Sequence, residues 1–127
     1  MQMHAERTFS FSRRLRSFRY AANGISLVVR SQHNAWFHAA ATIIVCLCGL
    51  WAHLTRLEWC CVLFAIVGVW IAEALNTAIE LIIDLVSPQF NSLAGKAKDV
   101  AAGAVMVAAI GAAIVGLIIF VPHLSSH

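Results

Sequence analysis

The stretch EALNTAIE at positions 73–80, followed by Asp84, puts three carboxylates and an amide inside a run otherwise apolar enough to cross a bilayer. At 3.6 residues per turn Glu73, Asn76, Thr77, Glu80 and Asp84 fall on one side of a helix, within about 60° of one another. A charged side chain near a bilayer centre costs about 2.5–3.5 kcal/mol on insertion scales, so such a face needs partners, water or a bound cation. A functional site is the default reading.

Asn76, Glu80 and Asp84 offer hard oxygen ligands one turn apart, of the kind that magnesium takes together with phosphate oxygens. Lys96, Lys98 and Asp99 follow in the next polar stretch, where the lysines would neutralise phosphate charge. The low-dielectric setting of Glu73 suits a general base acting on a hydroxyl at the membrane boundary. Together these parts suggest phosphoryl transfer to a lipid alcohol. The same face would equally serve a proton or ion relay, an oligomer contact or a paired structural network. No GxxxxGK[ST] run, no GxGxxG after a strand and no HxD-type kinase loop occurs, so neither common ATP-binding architecture is available.

The elements that must position this face follow from composition. The chain has 127 residues, 61% hydrophobic and 12% charged, which is too little polar surface for a water-soluble domain of this size. It reads as a single all-α membrane domain. No basic start leading into a short apolar core and a small-residue cleavage site appears in the first thirty positions, so the apolar segments are expected to remain in the mature protein. The net charge of +3 comes mainly from amino-terminal arginines beside apolar helices, which favours a membrane surface over nucleic acid. Cys46, Cys48, Cys60 and Cys61 lie inside the expected spans and read as small apolar filler.

Residues 1–8 carry no helical pattern. Phe11, Leu15, Phe18, Ala22, Ile25 and Val29 then recur in steps of four and three, with arginines on the other faces, predicting an amphipathic surface helix within residues 1–34. Transmembrane spans are expected at 35–54, at 59–86 after a tight turn, and at 100–121, with a polar connection over 87–99. Ala104, Ala108, Ala112 and Gly116 form a ridge of small residues suited to close helix packing. Trp36, Trp51 and Trp59 lie near span ends as interfacial anchors, Trp70 is expected between helices, and His38 reads as a hydrogen-bonded packing residue. All nine Lys and Arg residues except Arg56 precede the first span or sit in the 87–99 connection, so both segments are expected in the cytoplasm.

EALNTAIELIIDLVSP followed by LAGKAKDVAAGAV, with RYAANG at 19–24 and SQHNAWFH at 31–38, resembles the prokaryotic diacylglycerol kinase and undecaprenol kinase family. The resemblance runs from about Arg13 to Phe120. It implies a small three-span enzyme of the bacterial inner membrane, working as a homotrimer with sites shared between subunits. The implied reaction is phosphorylation of a membrane lipid substrate by ATP with Mg2+. By position Glu73 matches the general base, Asn76 its polar neighbour, and Glu80 a metal and nucleotide ligand. Lys98 and Asp99 match a nucleotide-binding pair, Asp84 an acid near the nucleotide, and Arg13 and Tyr20 nucleotide- or substrate-contacting positions.

There are departures. Gln32 stands where the family has a metal-binding glutamate, and Trp36 where an arginine is common. Gln32 offers a carbonyl oxygen but no charge, which lowers the metal affinity expected of the site. Gln89 and Asn91 likewise replace an acid and a histidine. A lipid kinase is the first reading. A family member that binds nucleotide or lipid without turnover, and a proton or ion pathway, are the alternatives.

Overall fold

The computed structural model describes residues 10–31 and 33–125, and it is all-helical among them: α1 spans Phe11–Ser31, α2 His33–Trp51, α3 Arg56–Val86 and α4 Ser92–Leu124. Residues 1–9, Gln32 and residues 126–127 lie outside the described part. Helices α2, α3 and α4 are each long and apolar enough to cross a membrane. At 1.5 Å per residue α2 is about 28 Å long, whereas α3 and α4 reach about 46–50 Å, so their ends extend beyond a hydrocarbon core of about 30 Å.

Each helix end has a local cause. α2 stops at Trp51, before the expected Leu54, because Leu54 N donates to the Gly49 carbonyl at 3.2 Å and His53 N to Leu50 at 3.3 Å. This is a Schellman closure, and His53 occupies its left-handed position with φ 52°. Thr55 then opens α3: its hydroxyl accepts from Glu58 N at 3.3 Å, while the Glu58 carboxylate accepts from Thr55 N at 2.8 Å. This reciprocal pair is a capping box. At the other end Pro88 follows the last turn of α3, and Asn91 Oδ1 opens α4 by accepting from Leu93 N at 2.9 Å and Ala94 N at 3.2 Å. The cap places Gly95, Lys96, Lys98 and Asp99 on a helix, so most of the polar 87–99 stretch extends α4 instead of looping.

α3 packs most extensively on α4. Near the α2–α3 turn Ala52, Leu54, Val62 and Ile119 form a buried apolar cluster, joined by Trp59 and Phe120. Gly49 permits this approach, since a Cβ there would lie 2.8 Å from the Trp59 ring and 3.1 Å from Leu54. Trp59 therefore serves as packing as well as lying at a span end. Elsewhere large apolar side chains face outward, among them Phe37, Phe64 and Leu85. That is the arrangement expected when lipid tails or neighbouring helices replace water.

Candidate active site

The polar face of α3 runs from buried to exposed along the helix. Glu73 is 0% exposed, Asn76 5% and Thr77 3%, and these are the buried polar side chains among the described residues. Glu80 is half-buried and Asp84 exposed. The face read from the sequence is thus one continuous track from the middle of α3 to its carboxyl end.

The Thr77 hydroxyl donates to the Glu73 carbonyl at 3.0 Å, which uses it up within the helix. Asn76 Nδ2 donates to Glu80 Oε1 at 3.1 Å. Both carboxylate oxygens of Glu73, and Asn76 Oδ1, remain buried without a hydrogen-bond partner. Unsatisfied buried acceptors are costly, and an incoming hydroxyl or cation would satisfy them. From α2, His38 Nε2 approaches Glu73 Oε2 to 3.6 Å.

His38 also stands at one end of an apolar groove of about 570 Å³ between α2, α3 and α4, lined by residues that include Thr42, Val69, Ala112 and Phe120 and reaching Leu124. Ala112 and Gly116 of the small-residue ridge belong to this wall. A groove of that chemistry accepts hydrocarbon, and at its polar end stands His38, whose Nε2 lies 3.6 Å from the buried Glu73 carboxylate.

At the exposed end of the track Lys98 on α4 pairs with Asp84 on α3. Their side chains are 38% and 64% exposed, so the pair contributes little to stability and leaves the ammonium within reach of another anion. Asp99, Arg13 and Tyr20 are exposed, the first on α4 and the others on α1. Gln32 falls outside the described residues, so its role stays an expectation.

Among the described residues no group of three or more His, Cys, Asp and Glu side chains could by itself hold a metal ion. Magnesium that arrives with phosphates needs only one or two carboxylates from the protein. Glu80, with the unpartnered Asn76 Oδ1 one turn deeper, fits that demand. From the sequence His38 reads as a hydrogen-bonded packing residue, and its approach to Glu73 is not foreseen. A signal was available, since an ionisable side chain in an apolar span carries the same cost that singled out Glu73.

A family model of prokaryotic diacylglycerol kinase matches residues 19–120. The chain is 43% identical over 113 residues to an undecaprenol kinase of Bacillus subtilis, covering 89% of this chain and 92% of that protein. It is 40% identical over 111 residues to a diacylglycerol kinase of Synechocystis, covering 87% of this chain and 63% of that one. Against a diacylglycerol kinase of Escherichia coli the identity is 25% over 119 residues, 94% of this chain and 98% of that one.

Proposed function

The chain belongs to the prokaryotic diacylglycerol kinase family and is a lipid kinase, and from this we propose that it moves the γ-phosphoryl group of ATP, with Mg2+, to the hydroxyl of undecaprenol or diacylglycerol. The observation that carries the reading is the Glu73 carboxylate, buried and without a hydrogen-bond partner, 3.6 Å behind His38, which lines one end of an apolar groove.

In this mechanism the lipid chain lies in apolar surroundings and presents its hydroxyl to Glu73. Glu73 accepts the hydroxyl proton as the lipid oxygen bonds to the γ-phosphorus, and the bond from that phosphorus to the β-phosphate oxygen breaks to release ADP. Lys98 leaves Asp84 to meet the phosphate charge. Glu80 and Asn76, with the Gln32 carbonyl, would hold magnesium, which supplies charge neutralisation on the phosphates. Arg13, Tyr20, Asp84 and Asp99 frame the nucleotide.

The same reading places residues 35–54, 59–86 and 100–121 in the inner membrane, with the amino terminus and the 87–99 stretch cytoplasmic. It lays α1 along the headgroup layer with its arginines toward phosphate. It also makes the active form a homotrimer, for which the many outward apolar side chains provide surface.

The test is transfer of labelled phosphate from ATP to each lipid in mixed micelles with magnesium, with Glu73→Gln as the blank. Transfer to one lipid that is lost in the variant supports the reaction and identifies the acceptor. No transfer to either lipid by well-folded protein would overturn the reading.

A further inference from the structure

We propose that His38 is a positioning residue for Glu73, an inference that rests on the kinase reading above. Its Nε2 lies 3.6 Å from Glu73 Oε2, while Glu73 Oε1 is buried and unpartnered. A separation of 3.6 Å exceeds a formed hydrogen bond, but contacts of this kind commonly tighten only once substrate is bound. The carboxylate then divides its work: Oε2 is held by the imidazole N–H, and Oε1 faces the incoming hydroxyl. Without a donor on one oxygen the carboxylate is free to rotate about its last torsion, and the proton-accepting oxygen has no fixed direction.

Trp70 braces the imidazole, and Thr42 ties Trp70 to the main chain of α2. Thr42 Oγ1 donates to the His38 carbonyl at 2.7 Å, and Trp70 Nε1 donates to Thr42 Oγ1 at 3.1 Å. The Trp70 ring meets the imidazole edge-on, with centroids 6.5 Å apart and planes at 68°. Trp70 lies one turn before Glu73 on α3, so the helix that carries the base also braces the residue that orients it. A histidine present only to fill space between α2 and α3 would not need its nitrogen aimed at the carboxylate.

The experiment compares His38→Phe, which keeps an aromatic ring against Trp70 but has no donor, with His38→Gln, which keeps a donor. Both are assayed with ATP, magnesium and whichever lipid the wild type accepts. General-base assistance is worth about 10²–10⁴-fold, so misorienting the base should lower kcat by about tenfold or more in His38→Phe. The KM for ATP should stay unchanged, and His38→Gln should recover a large part of the lost kcat. Near-normal kcat in His38→Phe, or equal loss in both variants with a matching rise in the KM for ATP, would overturn the inference. Should His38→Phe fail to fold, His38→Gln is compared with His38→Ala on the same two parameters, and equal kcat in that pair would overturn it too. An inactive wild type would instead count against the kinase reading itself.

Discussion

Two glutamates on α3 meet opposite fates. Glu58, in the first turn, accepts from Thr55 N and Thr55 Oγ1, both at 2.8 Å, through one oxygen and faces His123 Nε2 at 3.7 Å with the other. Its neighbours are matched as well, since His123 Nδ1 donates to the Ile119 carbonyl at 2.8 Å and the adjoining apolar cluster closes over Gly49. Glu73, in the middle of the helix, is fully buried with neither oxygen hydrogen-bonded. A satisfied carboxylate holds structure together, whereas an unsatisfied one lowers stability until a ligand completes it. The contrast predicts that variants around Glu73 change turnover more than stability, and that variants around Glu58 do the reverse.

The largest effect is expected at Glu73 itself. Glu73→Gln should lower kcat by about 10²–10⁴-fold or more through loss of the base. The Tm in detergent should not fall, because the fold loses no hydrogen bond of that carboxylate. A large drop in Tm would show that the carboxylate is structural, as Glu58 is. Glu80→Gln should have a smaller effect of a different kind, raising the magnesium concentration for half-maximal rate while saturating magnesium restores much of kcat. Gln32→Glu should shift that requirement the opposite way. An unchanged magnesium dependence in Glu80→Gln would remove Glu80 from the metal site.

Most of this arrangement is legible in the sequence, because α1 shows a repeating apolar stripe and the other three helices show long apolar runs. The EALNTAIE track was legible because carboxylates inside such a run are costly enough to demand a reason. Helical spacing says which residues share a face of one helix, but not what another helix brings to that face. The approach of His38 to Glu73 is therefore not legible in the sequence, nor is the tie from Trp70 to Thr42. The 87–99 stretch misled in another way, since polarity suggested a connection where the Asn91 cap starts α4 early. A helix can be polar where it leaves the membrane, and only the cap residue hints at its start.

At the Glu58 end the effects should be confined to stability. Gly49→Ala would set a methyl 2.8 Å from the Trp59 ring, and overpacking of this kind costs about 1–3 kcal/mol. It should be visible as earlier unfolding in an SDS titration with the KM for ATP unchanged.

The smallest predicted effect is also the sharpest test of the contrast. Thr55→Ala removes the hydroxyl that caps α3 while keeping the backbone N–H that Glu58 accepts from. Loss of an N-cap side chain costs about 1 kcal/mol, and here the Glu58 carboxylate also loses one of its donors. Thr55→Ser keeps the hydroxyl and should restore stability, which separates the cap from the lost methyl group. Thr55 and Glu73 lie eighteen positions apart on the same helix, about 27 Å at 1.5 Å per residue. If α3 were a rigid rod passing strain from its cap to its base, Thr55→Ala would lower kcat along with stability. If the two glutamates serve separate ends, kcat measured well below the unfolding transition should match the wild type.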